Sequence, residues 1–130
     1  MSEERNPCSP VAAYKEIIDQ LASETSYGIS ERLVAQEGIF GIAKRDETFN
    51  LFVRSLSIEQ RRLLAEMLHS ERISAVGGVL AVLEWWVTAR DVGLTFRGQP
   101  MPVRFAEGLL GDYIGRLDDW QWPDDDPRPI

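Results

Sequence analysis

The stretch "SIEQRRLLAEMLHSERISAVGGVLAVLEWWVTARDV", residues 57–92, decides how this chain folds. It opens with Ser57 and, three residues on, Gln60, which is the form of a capping box and marks a helix start. Leu64, Met67 and Leu68 follow at the spacing of a buried face. Nothing between Ser57 and Val92 forbids one continuous helix. Such a helix would run about 50 Å at about 1.5 Å per residue, more than a compact domain of this size spans. The reading is therefore two helices, with a break near "HSERIS", where Ser70 can cap the second, or at Gly77-Gly78. The second, about residues 71–92, is apolar nearly all round, which predicts a central, buried helix. Its least polar run, residues 73–89, is shorter than the ~20 residues a bilayer requires and is interrupted by Glu84.

Outward from this stretch, the chain reads as helices closed by recognisable punctuation. Upstream, Ser9 and Pro10 stand as N-cap and first helical residue of a helix whose Tyr14, Ile17, Ile18 and Leu21 form one stripe. Gly28 ends that region, and Ser30 is the expected cap of a short helix with Leu33 and Val34 inward. "EGIFGIAKRDE", residues 37–47, reads as a loop plugged into the core by Ile39, Phe40 and Ile42. Asp46 is the expected cap of a helix that buries Phe49, Phe52, Val53 and Leu56. Downstream, Gly93 is the expected stop of the central helix. Leu94–Phe96 and Met101–Val103 flank a turn of Arg97, Gly98 and Gln99, and two prolines confine the second strand to an edge. A last helix, about 105–119, turns Leu109, Leu110, Tyr113, Ile114 and Leu117 inward, and Trp120 continues its stripe. The fold class that results is mostly α: a compact single-domain bundle of five or six helices with one small β-hairpin near residues 94–103. The expected organisation is a flexible N-terminus (1–8), a helical domain (9–122) and an extended acidic tail (123–130).

Bulk properties narrow the function. The chain has 130 residues and a formal net charge of −7, unevenly spread: ten acids and eight bases lie in residues 1–65, eleven and six in 66–130. That field disfavours nucleic acid and anionic membranes and suits a basic protein partner. The largest basic clusters, Lys44-Arg45 and Arg61-Arg62, both sit beside acids, unlike the basic face of a nucleic-acid binder. Cys8 is the single cysteine, so no internal disulfide forms, and the acidic start lacks the pattern of a signal peptide. A cytoplasmic location is the expectation.

The residues offer little chemistry. His69 is the only histidine; with Glu66 it makes one Glu-x-x-His pair, where a di-iron bundle needs two. No metal and no cofactor are expected, and no glycine pattern matches a dinucleotide fingerprint or a P-loop. Glu84, beside Trp85 and Trp86, is the best single candidate for acid–base work, set against the plainer reading of a solvent-facing stripe. In make-up the chain is similar to many small acidic helical domains of unknown function, a likeness of composition alone. Two readings follow. One is a non-enzymatic interaction domain of inhibitor or immunity type, touching its partner through Trp122, Asp124, Asp125 and Asp126. The other is a small-ligand binder or enzyme with Glu84, Trp85, Trp86, Arg97 and Arg104 around a pocket between the central helix and the hairpin. Homodimerisation is compatible with both, since exposed tryptophans or the hairpin edge would be covered by it.

Overall fold

Ser9 caps as its position predicts. Its hydroxyl accepts the Ala12 N–H at 3.1 Å and its carbonyl the Ala13 N–H at 2.9 Å, opening α1, Pro10–Ser26. The computed structural model describes residues 7–26, 28–103 and 106–123. These are mostly helical, with one two-stranded antiparallel hairpin. After α1 come a single turn, α2 (Ile29–Arg32), running into a π-helical turn (Leu33–Glu37), then α3 (Glu47–Ser55) and α4 (Ile58–Ala89). The hairpin pairs β1 (Thr95–Phe96) with β2 (Gln99–Pro100), and α5 (Gly108–Leu117) follows. Among the described residues, four helices exceed two turns. The expected five or six are reduced because residues 57–92 hold one helix, not two.

That helix starts where the capping box puts it. Gln60 N–H donates to Ser57 Oγ at 3.1 Å, and Ser57 N–H donates to Gln60 Oε1 at 2.9 Å. No proline follows, and Gly77-Gly78 stays helical, so α4 continues for 32 residues. α4 exceeds the length expected for one compact domain because it is not confined to one compact unit. Residues 24–76 form one unit, and residues 1–23 with 77–130 form the other, so each takes part of α4. By length and composition α4 is also long and apolar enough to cross a membrane.

In the unit of residues 24–76, Val34, Val53 and Ala65 are the buried centre, with Phe40, Leu64 and Leu68 packed against them. The 38–43 loop is pinned by a residue the hydropathy pattern did not single out. Asn50 Oδ1 accepts the Phe40 and Gly41 N–H groups at 2.7 and 3.2 Å, and its amide donates to the Gly41 carbonyl at 2.8 Å. Phe40 does plug the core, whereas Ile42 is 93% exposed. Phe49, Phe52 and Met67, expected inward, are also exposed; Phe49 covers the edge of Phe40 instead, centroids 5.3 Å apart. Asp46 does not cap α3 with its side chain. Its carboxylate turns back to accept the Ala43 N–H at 3.1 Å, closing a 3-10 turn over Lys44–Asp46. Ser30 lies inside α2, whose N-cap is Gly28. Arg61 finishes α3 by donating to the Val53 and Arg54 carbonyls.

In the other unit, Tyr14, Ile18, Leu80, Leu109 and Tyr113 are buried. Ile17 and Ile114, placed inward by periodicity, are about half exposed. The expectation of a buried central helix fails on α4, where Val79, Val82, Leu83, Trp85 and Trp86 are 44–61% exposed. An apolar circumference signals burial only where neighbours exist to cover it. Gly93 is not the stop of this helix; Asp91 takes the left-handed conformation (φ 55°) two residues earlier. In the hairpin, Arg97 and Gly98 both have positive φ (50° and 79°), the two-residue turn whose twist matches paired strands.

The end of α5 explains how Trp120 returns. Trp120 N–H donates to the Gly115 carbonyl and Asp119 N–H to the Arg116 carbonyl, a Schellman closure with Asp119 at φ 57°. Trp120 thus reaches its place by reversal, not by continuing the helix, and its ring lies where a Gly115 Cβ would come within 3.2–3.4 Å. Glycine accepts this conformation with less strain than aspartate. Asp119→Gly should raise stability by about 1 kcal/mol, read as a higher urea midpoint, while Asp118→Gly, at φ −96°, should lower it.

Candidate functional site

Among the described residues, Asp112 is the most deeply buried polar side chain. It sits on α5 between Leu109 and Tyr113, on the buried side of a helix that otherwise packs apolar residues, and is 0% exposed. Burial of a carboxylate demands donors, and two meet it. Tyr14 Oη donates to Oδ2 at 2.5 Å, and the Glu107 N–H donates to Oδ1 at 2.8 Å. The Tyr14 phenol is held well above its ordinary value near 10, first by burial, then by the hydrogen bond to Asp112 and that residue's charge, then by the charge of Glu84.

Glu84 reaches the same neighbourhood from α4. Gly108, at φ 88°, carries no Cβ, and a Cβ there would lie 1.9 Å from Glu84 Oε1, so the carboxylate lies flat on the start of α5. Beside it is a concavity of about 550 Å³, lined by Glu84, Glu107, Leu110, Gly111, Ile114 and Trp120 among others. Of the described residues expected to build a ligand pocket, Glu84 alone is in this lining. Trp85 and Trp86 stand on the exposed face of α4, edge to face at 5.4 Å, with the Arg90 guanidinium 5.3 Å from the Trp85 ring. Arg97 is in the hairpin turn, stacked over Phe96 at 4.9 Å. Arg104 lies outside the described residues.

Trp122 is held within its own unit. Its indole N–H donates to both oxygens of Asp19 at 3.2–3.3 Å, and its ring meets Tyr14 edge-on at 6.0 Å and Trp120 at 5.6 Å. Arg116 shares Asp19 through Nε at 2.6 Å, donates through Nη1 to the Trp120 carbonyl, and lies 5.7 Å from the Trp122 ring. Asp124, Asp125 and Asp126 lie outside the described residues.

In the unit of residues 24–76, a second concavity of about 580 Å³ is lined by Gly28, Glu31, Arg32, Arg62, Glu66 and His69 among others. Both Glu31 oxygens are out of solvent without a hydrogen bond among the described residues. Arg72 Nη2 approaches Oε2 at 2.7 Å, an ion contact lacking hydrogen-bond alignment, and His69 Nδ1 stands 3.9 Å from Oε1. Glu66 is engaged by Arg62 at 3.0 Å, so the Glu-x-x-His pair is divided between two partners. Among the described residues, no three His, Cys, Asp or Glu side chains gather as a metal-holding group.

Sequence reasoning missed Tyr14–Asp112 and the Asp19–Arg116–Trp122 cluster. The signal for the first was legible: an aspartate three residues after Leu109, on the face of α5 assigned to the core. The second carried none, because Asp19 and Trp122 are 103 positions apart.

A family model described as a family of unknown function (DUF6547) matches residues 8–124, and the chain belongs to that family. No curated protein and no solved structure matches it.

Replacing Tyr14 by Phe removes one donor and leaves Asp112 Oδ2 buried without it. The variant should lose about 2–3 kcal/mol of stability, measured by urea unfolding at neutral pH. The raised phenol also fixes a pH dependence. Unfolded tyrosine ionises near 10 and folded Tyr14 only higher, so the stabilisation is present below pH 10 and lost as pH rises beyond it. Urea midpoints of the native chain should therefore fall above pH 10 more steeply than those of Tyr14→Phe.

Proposed function

Within this family of unknown function, we propose that the chain is a non-enzymatic protein-interaction domain working through the C-terminal part of α4. One observation carries the reading: Val79, Val82, Leu83, Trp85 and Trp86, five large apolar side chains within eight residues, are each 44% or more exposed. Apolar side chains gathered at this density on one helix mark contact surfaces, and tryptophans anchor such surfaces more often than any other residue. The face differs from the acidic tail as a basis for binding, because it offers desolvation instead of charge. The cytoplasmic setting belongs to the same proposal and rests on the lone cysteine and the acidic balance. The inhibitor or immunity role is a narrower form of it, in which the covered surface belongs to a basic partner.

The ligand-pocket alternative has the concavity beside Glu84 in its favour. Trp85, Trp86 and Arg97 are absent from its described lining, so the aromatic surplus that suggested a pocket supports the contact surface better.

A photo-crosslinking residue at position 82 tests this in living cells, with position 59 of the same helix as control, where the side chain is exposed but already paired with Arg62. Irradiation should yield a protein adduct from position 82 and none from 59. The absence of any adduct at 82 would overturn the proposal.

A further inference from the structure

We propose that the occupant of this α4 face is a second copy of the chain, packed antiparallel about a two-fold axis between Leu80 and Ala81. The inference rests on the contact-surface reading above and adds the partner and its register.

The positions come first. Ala75, Val79, Val82 and Trp86 recur at intervals of four, three and four, the seam spacing of paired helices, and all four are exposed. Leu83 and Gly78 flank the seam on either side, and a Cβ on Gly78 would meet nothing within 4 Å. The burial of Leu80 on the opposite side of the helix leaves this stripe as the outward one.

Antiparallel overlay about the Leu80/Ala81 midpoint brings large residues opposite small ones. Trp86 of one copy comes level with Ala75 of the other, Leu83 with Gly78, and Val79 with Val82. Small residues let helix axes approach, and the large ones fill the space so formed. A parallel overlay would instead set Trp86 against Trp86 and leave the Gly78 notch facing itself.

Charge selects both the partner and the direction. From Ile73 to Leu83 the helix carries no charged residue, although the chain as a whole stands at −7. A basic partner would find no acid along this stretch, whereas a second copy meets it with an equally uncharged one. The exposed charged residues nearest the two ends of the seam are Glu71 and Arg90, with Asp91, also exposed, one residue beyond. Antiparallel pairing puts Glu71 of one copy at the level of Arg90 of the other, at both ends, while parallel pairing would place like charges together. Arg72, the other cation near that end, is already turned to Glu31.

Sedimentation equilibrium of the full chain should give twice the mass of one chain. Val82→Glu places like charges at the centre of the seam and should return the single-chain mass with an unchanged helical circular-dichroism spectrum. Direction is read by disulfide trapping in a Cys8→Ser background, mixing differently tagged Ala75→Cys and Trp86→Cys chains under mild oxidation. The expected product joins unlike chains, because positions 75 and 86 come level, while 75 and 75 lie about 16 Å apart along the axis. An Ala75→Cys chain joined to its own kind would overturn the antiparallel register. A single-chain mass, with position 82 crosslinked to some other protein, would overturn self-pairing and leave the contact-surface reading standing. A single-chain mass with no adduct at 82 would overturn both, as would a monomer that floats with phosphatidylglycerol vesicles, which would assign the face to lipid.

Discussion

A carboxylate removed from water has to be met by donors, and Asp112 imposes that condition on the unit of residues 1–23 and 77–130. Its oxygens take the Tyr14 hydroxyl from α1 and the Glu107 N–H from the approach to α5, so one side chain fixes two segments about 90 positions apart. Tyr14 then presents its ring to Trp122, and the Trp122 indole and Arg116 converge on Asp19 of α1. The aromatic ending of the described chain is placed by this series of contacts, beginning at a charge that apolar packing could not have accommodated alone. Such polar networks specify geometry more sharply than apolar contact does, because each donor has few acceptable positions.

Local features of the fold were legible because they depend on residues a few positions apart. The Ser57–Gln60 capping box, the Ser9 cap and the hairpin each rest on backbone chemistry closed within three or four residues. What a side chain faces depends on the rest of the chain, and there the reading failed. Phe52, Met67, Ile17 and Ile114 have the periodicity of buried residues and stand exposed. Asn50 and Asp112 are polar, so a hydropathy pattern passes over them, yet they anchor a loop and a helix. Glu84 was found from sequence as an acid amid apolar residues. Its contact with Gly108 was not, since that depends on a glycine 24 positions away having no side chain.

The helix of residues 57–92 shows the same division most clearly. Its start was read correctly from the capping box and its continuity misjudged from a size argument. A limit on length holds for a helix enclosed by one compact unit, and α4 is shared between two. Its apolar circumference was taken as burial, though the same residues would serve equally well for the proposed contact with a second chain. Hydropathy measures the cost of leaving a surface wet; it does not say what dries it.

Net charge proves an indirect guide to that second question. In residues 7–23 and 77–123, Asp19, Glu84 and Asp112 are engaged inward, by Arg116 and Trp122, by the start of α5, and by Tyr14 with the Glu107 N–H. These three acids support the unit while Glu16, Asp91, Glu107, Asp118 and Asp119 stay exposed, and the exposed α4 stripe carries no acid between Ile73 and Leu83. Two copies at −7 each still repel at a distance. That repulsion is screened within about 8 Å at physiological ionic strength, whereas the proposed contact through Val79, Val82 and Trp86 would be short-ranged and nearly independent of salt. The proposed self-pairing would thus be opposed by a term that salt weakens and driven by one that salt leaves intact. Attraction to a basic partner would have the opposite dependence, so the two kinds of occupant differ in the sign of their response to salt.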